Sequence, residues 1–232
     1  MKRLHGGDKI KNTFLKARQL SAIVLTVTSL TAAVKPALAV DLPSGGSVVP
    51  PNTNYAALVV EDPTRTVVLT DAANVVLDTV TIRDRVTLLS TGTYSFERFI
   101  QNGPGFVAPH PTLGRYTFTE SGFAGYSTSV DYDSTSGGSS FPATATRTAT
   151  GNSVSFGSFS PTDTLIDGQR TDVMTDRTNA TAYALVGTTT ITGEVNGIPV
   201  SGSVATFAPI PEPASLGLLG LAGLGLLRRR HA

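Results

Sequence analysis

The sequence predicts an all-β protein whose middle is a single antiparallel β-sandwich or jelly-roll domain. Residues 40–210 contain 29 threonines, and β-branched side chains at this density favour pleated strands. Apolar and polar residues alternate in several short runs. Within 115–119, for example, Tyr116 and Phe118 share one face. Short strands separated by Gly, Pro and Asn, without a helical period, are typical of sandwiches and jelly rolls.

One hairpin is predicted in detail. Asn196-Gly197 is the residue pair that a two-residue type I′ turn prefers, and alternating runs flank it on both sides. Pro199 cannot donate to a ladder, so the hairpin is expected at a sheet edge. The turn pairs three positions across the two strands: Val195 with Ile198, Gly193 with Val200, and Ile191 with Gly202.

Charge is divided sharply along the chain. Residues 1–39 carry seven Lys or Arg and one acid, whereas 40–227 carry eight Arg, no Lys and sixteen acids. The middle therefore has no basic stripe, and we expect no nucleic-acid partner. Four segments are predicted: a signal peptide (1–39), a Pro/Gly/Ser-rich linker (40–54), a β-rich extracellular domain (55–208) with a long flexible loop at 134–152, and a C-terminal signal (209–232).

The N-terminal segment has the order of a secretory signal. A basic stretch precedes the apolar run 20–34, and Ala37-Leu38-Ala39 then offers the small residues that signal peptidase requires. Cleavage after Ala39 is expected, with the export machinery and signal peptidase as partners. An uncleaved signal anchor is the alternative, although the apolar run is shorter than the roughly 20 residues of a membrane span. Both interpretations imply export.

The C-terminal segment combines three features. Residues 214–227 carry no charge, and a helix of this length would span about 21 Å against about 30 Å of hydrocarbon. Arg228, Arg229 and Arg230 follow, and the positive-inside rule places them in the cytoplasm. Before the helix, Pro211 and Pro213 flank Glu212 and keep this triplet extended and accessible on the exported side.

This order of triplet, short Gly/Leu helix and terminal arginines closely resembles the PEP-CTERM sorting signal of Gram-negative bacteria. The resemblance implies recognition and cleavage by an exosortase, a membrane-bound cysteine protease-transpeptidase. It also implies an inner-membrane-anchored precursor and an association with exopolysaccharide and biofilm. An ordinary single-pass anchor would account for the helix and the arginines, but not for Pro211-Glu212-Pro213 at this position.

Catalytic and metal-binding motifs are weak. The chain has no Cys, which excludes thiol catalysis, and His110 stands between two prolines without a Gly-x-Ser-x-Gly motif to accompany it. Asp131 and Asp133 begin like a calcium loop, but the glycine comes late and position twelve is Pro142. They stay weak metal candidates, and neither a cofactor nor an enzymatic activity is expected.

The expected function is therefore that of a non-enzymatic exported protein of the cell surface or extracellular matrix. One alternative is a carbohydrate-binding module, in which Tyr126 and Tyr132 would stack on polysaccharide. A secreted polysaccharide hydrolase is a further alternative, since sixteen acids in the middle segment always allow some carboxylate pair.

Overall fold

The structure, a computed structural model, describes residues 39–53, 57–103 and 111–211. Its described part contains fourteen strands, one short 3₁₀-helix at Ser134–Ser136 and no α-helix. The strands are β1 (Val40–Asp41), β2 (Ser47–Val48), β3 (Leu58–Glu61), β4 (Thr64–Thr70), β5 (Val76–Leu88), β6 (Tyr94–Asn102), β7 (Leu113–Ser121), β8 (Thr128–Asp133), β9 (Phe141–Arg147), β10 (Ser153–Ser160), β11 (Thr164–Leu165), β12 (Val173–Thr178), β13 (Tyr183–Val195) and β14 (Ile198–Pro209).

The strands form one antiparallel sheet that is nearly closed. Its order is β1-β8-β12-β6-β5-β4-β14-β13-β7-β10-β9-β2, while β3 adds to β5 and β11 adds to β7. The two ends of this path, β1 and β2, are joined by residues 42–46. The N-terminal segment thus pairs with β8 on one side and β9 on the other, and the predicted all-β antiparallel fold is confirmed.

Two stretches that the sequence assigned to irregular structure are part of the sheet. The predicted linker 40–54 contributes β1 and β2, and Val48 pairs with Ala145. The prediction of a flexible loop at 134–152 is wrong, because β9 lies inside it and pairs with β10 along most of its length. Small alternating Thr and Ala residues resemble loop composition, yet they fit a strand that has partners on both sides.

The predicted hairpin is confirmed in its register. Asn196 and Gly197 adopt φ values of 53° and 77°, as a type I′ turn requires, and all three predicted pairs are present in the β13–β14 ladder. Its expected place at a sheet edge is wrong, since β13 also pairs with β7 and β14 with β4. Pro199 is tolerated because β14 and β4 share one paired position, Ser201 with Thr70.

The interior of the sheet follows the alternation of the strands. Along β5, alternate side chains point inward and are buried, while those between them are only partly buried. Aromatic side chains from several strands meet in this interior, and Phe96 meets Phe123 edge-on with ring centroids 5.7 Å apart. The largest fully buried apolar residues are Tyr116, Phe96, Phe118, Phe123, Phe156, Leu42, Leu69, Ile82, Ile100, Leu113 and Leu165.

A charged residue lies at the centre of this apolar interior. The guanidinium of Arg98 is fully buried, forms an ion pair with Asp84 at 3.2 Å and a second with Glu120, and donates to the carbonyl of Phe207. Asp84 also accepts a hydrogen bond from the Phe207 amide at 3.0 Å. Arg98 therefore links β6 with β5, β7 and β14, and the buried Asp176 of β12 interacts electrostatically with it.

Replacement of Arg98 by methionine should destabilise the protein strongly. The change leaves the buried Glu120 carboxylate without its ion-pair partner, and breaking a buried ion pair from one side costs about 3–5 kcal/mol. Urea unfolding of the purified protein measures the loss. Arg115→Met is the matched control, because that side chain is 77% exposed and its change should stay within about 0.5 kcal/mol. Equal stability of the two variants would contradict the role given to Arg98.

Asp176 should make stability depend on pH. Burial raises the pKa of Asp176 from 3.8 to about 7, against the lowering effects of Arg98 and Arg147 and with a raising effect of Asp131. The folded state holds this proton more tightly than the unfolded state, so stability is greatest below about pH 4 and falls as the pH rises through 7.

The stability difference between the wild-type protein and Asp176→Asn isolates this contribution. Between pH 5 and pH 8 the wild-type protein should lose stability relative to the variant, by at most about 1.4 kcal/mol per pH unit. Urea unfolding across this range measures the difference, with Asp167→Asn on an exposed turn as the control for loss of one carboxylate. A difference that rises with pH would contradict the raised pKa.

Candidate functional site

The C-terminal motif follows directly on the last strand of the sheet. Pro209, the last residue of β14, pairs with Tyr183, and the amide of Ile210 donates to the carbonyl of Ala182 at 3.2 Å. Pro211 is exposed. The backbone is thus held by the domain up to Ile210, and the predicted recognition triplet starts one residue later.

Most of the residues predicted for processing lie outside the described part of the chain. This applies to Ala37, to Glu212 and Pro213, to the predicted helix 214–227 and to Arg228–Arg230. Within residues 39–53, 57–103 and 111–211, no helix is long and apolar enough to cross a membrane. His110 also lies outside the described residues.

The predicted signal peptidase site lies immediately before the first strand. Ala39 is described and half-buried, and Val40 begins β1, where it pairs with Val130. Cleavage after Ala39 would make Val40 the new N-terminus. The mature chain would then begin with a residue that already belongs to the sheet.

The two weak metal candidates serve the fold in separate ways. Asp131 is fully buried, accepts a hydrogen bond from the Thr53 hydroxyl at 2.6 Å and pairs with Arg177. Burial raises the pKa of Asp131, against the lowering effects of these two partners. Asp133 caps the 3₁₀-helix by accepting from the Thr135 amide at 2.8 Å. Among the described residues, no group of three or more His, Asp or Glu side chains could hold a metal ion.

The tyrosines proposed for carbohydrate stacking do not form one platform. Tyr126 lies in the turn before β8, and its amide donates to the carbonyl of Phe123 at 3.2 Å. Tyr132 lies near the other end of β8 and stacks on Phe141, with ring centroids 5.2 Å apart and an interplanar angle of 8°. A sugar chain could not stack on both rings at one subsite.

A polar groove on the outer face of the sheet is a stronger candidate for ligand binding. Its volume is about 310 Å³, and it lies between residues 57–59 and the outer face of β5, β6 and β12. Three arginines line it. The guanidiniums of Arg83 and Arg170 lie over the ring of Phe99, at 5.9 Å and 5.1 Å from its centroid, and Arg85 donates to Glu97 at 3.2 Å.

Two carboxylates and one backbone carbonyl orient the groove arginines. Both Arg83 and Arg85 form ion pairs with Asp62, and the hydrogen bond from Arg83 lowers the pKa of Asp62 despite its partial burial. Arg170 donates to the carbonyl of Ser136. A guanidinium fixed in this way keeps free N–H groups in a planar arrangement that suits carboxylates and vicinal hydroxyls.

Sequence reasoning missed this groove, although one signal for it was present. Arg83 and Arg85 alternate with buried residues in β5 and therefore share the outward face. Arg170 is far away in the sequence, in an isolated bridge with Gln101, and nothing in its local pattern indicates that it meets Phe99. The contact depends on how β6 and the turn before β12 are placed by the closed sheet.

Comparison with known proteins identifies the C-terminal motif. No curated protein matches the chain, and no solved structure matches it either. Residues 209–230 match the family model for the PEP-CTERM protein-sorting motif, which covers the triplet, the uncharged run and the arginines. The chain thus carries a PEP-CTERM protein-sorting motif directly after its last strand, and this motif marks it as an exported protein that an exosortase sorts.

Proposed function

We propose that the β-domain is a non-enzymatic component of the cell surface or extracellular matrix and that the C-terminal motif delivers it there. The observation that carries the proposal is the match at 209–230, which begins where β14 ends. Residues 40–211 would form almost the whole mature protein. An association with exopolysaccharide or biofilm belongs to this proposal.

Each part of the two signals has a physical task in the proposed sequence of events. The N-terminal signal directs export, and signal peptidase cuts after Ala39. The run 214–227 then holds the precursor in the inner membrane, with Arg228–Arg230 in the cytoplasm. Glu212 offers the one charged side chain near the cut, and Pro211 and Pro213 keep it extended for the enzyme.

The use of acidic residues in the domain supports a non-enzymatic role. Asp131 is held by Thr53 and Arg177, and Asp84 and Glu120 are paired with Arg98 in the interior. These carboxylates hold the fold together, whereas a glycosidase needs two carboxyl groups that flank a substrate.

Replacement of Glu212 by alanine should block processing. Uncut precursor should then accumulate in the membrane fraction of the producing cells, and the released form should fall by at least about tenfold, since a charged hydrogen bond contributes about 1.5–3 kcal/mol. Immunoblots of membrane and medium fractions measure the ratio. Asp167→Ala on an exposed turn is the control and should be processed normally. Normal processing of the Glu212 variant would overturn the proposed role of the motif.

The groove supports a second candidate function, the binding of an acidic polysaccharide. The supporting observation is the set of three arginines that line the groove, two of them over the ring of Phe99 and the third bonded to Glu97. Each guanidinium can donate to uronate carboxylates or to sugar hydroxyls. This function adds to the first, because a matrix protein that binds the producer's own polysaccharide would be retained at the surface after release from the membrane.

Arg170→Ala should weaken this binding. Loss of one charged hydrogen bond should lower the affinity for the producer's own exopolysaccharide by about tenfold. Added salt should also lower the affinity of the wild-type protein for the polysaccharide. Co-sedimentation with the isolated polysaccharide gives the affinity. Arg115→Ala removes an exposed arginine outside the groove and is the control. Equal binding by the two variants, or no binding by the wild-type protein, would contradict the assignment.

A further inference from the structure

The chain leaves the sheet at one end of the domain, where five connections meet. Ile210 and Pro211 border a depression of about 350 Å³ that is also lined by residues 124–126 and 179–181. Hydrogen bonds join neighbouring connections there. The Ser127 amide donates to the Asn179 side chain at 3.0 Å, and the Gly122 amide donates to the Asn152 carbonyl at 3.0 Å. We call this end the tail rim, consisting of residues 43–46, 89–93, 122–127, 148–152, 179–182 and 210–211.

The tail rim carries no charge. None of these described residues is Asp, Glu, Lys, Arg or His, although charged residues make up 15% of the chain. The opposite end of the domain differs, since Asp71, Arg115 and Glu194 border one depression there. Asp163 and Asp167 lie in nearby turns.

Four charged residues of the described part lie within two positions of the rim, and all four belong to strands: Asp41, Glu120, Arg147 and Arg177. Arg147 lies beneath the rim, 7% exposed, and donates to the carbonyls of Phe123, Tyr126, Gly151 and Leu42 at 2.7–3.2 Å. This guanidinium ties two rim connections, 122–127 and 148–152, to each other and to Leu42, the residue just before 43–46. Asp41 is exposed but pairs with Ser129 within the β1–β8 ladder.

The covalent chain keeps the rim close to the membrane in the precursor. Three peptide steps lead from Pro211 to Ala214, where the uncharged run begins. At most about 3.5 Å per residue, these steps span about 10 Å. An enzyme that grips the triplet within this distance must meet the rim, because the Ile210 amide is already hydrogen-bonded to the domain.

We propose that the tail rim is a docking surface for the exported face of the membrane-bound processing enzyme. The proposal rests on the proposed function and extends it: the enzyme meets the folded end of the cargo as well as the motif. An uncharged, hydrogen-bonding surface can be covered by a protein partner without the cost of desolvating an ion. Tyr126, half-buried, lines the same depression as Pro211 and contributes aromatic surface of the kind that interfaces favour.

Charges placed on the rim test the proposal in the full-length chain. Ala124→Asp and Ala124→Lys introduce either sign at an exposed rim position, and Ala149→Asp repeats the test on another connection. Each should slow conversion of precursor to processed protein by about tenfold, since burying an ion at an interface is costly whatever its sign. Pulse-chase labelling of the producing cells measures the rate. Ala72→Asp, exposed at the opposite end, is the matched control and should be processed like the wild type.

A spacer distinguishes docking from poor folding. Gly-Ser-Gly-Ser inserted after Ile210 should let the rim move away from the enzyme, so that Ala124→Asp is then processed as fast as the spacer-bearing parent. A variant that stays slow with the spacer overturns the proposal. If Ala124→Asp slows processing while Ala124→Lys leaves the rate unchanged or raises it, the rim faces the anionic lipid surface instead of the enzyme. That result also overturns the proposal.

The controls separate this proposal from the function on which it rests. An uncut wild-type protein, or normal processing of Glu212→Ala, would overturn the proposed function itself. If Glu212→Ala blocks processing but all three rim variants are processed at the wild-type rate, only the docking surface is overturned.

Discussion

The buried guanidinium of Arg98 is the constraint on which the closed sheet depends. It is fully buried beside the ring of Phe96, where an unpaired charge costs several kcal/mol. Asp84, Glu120 and the Phe207 carbonyl compensate it from three other strands. A shift of any of these strands by one residue would turn its partner outward and leave the guanidinium unpaired. The charge therefore selects one register, while the surrounding apolar packing supplies most of the favourable free energy.

The same interaction connects the interior of the domain with its sorting signal. Phe207 meets both Arg98 and Asp84 through its backbone, and β14 ends two residues later at Pro209. The last strand is thereby held by the core and by its ladder with β13 almost to the start of the motif. The cut is consequently made at the edge of a folded body, and the surface that the enzyme meets is set by the fold. The N-terminal side is similar, because β1 begins directly after the predicted cleavage site.

Short-range signals predicted the features that depend on few residues. The Asn196-Gly197 turn sets its own backbone conformation, so the register of the hairpin could be read from the sequence. The sorting motif is linear and was recognised in the same way. Other strands depend on partners that are distant in sequence. The local patterns of β1, β2 and β9 are weak, and these segments become strands because β1 pairs with β8, β9 with β10 and β2 with β9. The groove arginines and the charge cluster around Arg98 likewise depend on contacts between residues distant in sequence, which alternation alone does not pair.

Processing at both ends of a folded β-domain is the central claim, and the intact mass of the mature protein tests it most directly. Mass spectrometry of protein recovered from the producing cells and their medium should give a chain that starts at Val40 and ends between Pro211 and Pro213. Any excess mass would reveal a group attached at the cut. A chain that runs through to Ala232 and stays in the membrane would contradict the claim, since the C-terminal segment would then be a permanent anchor.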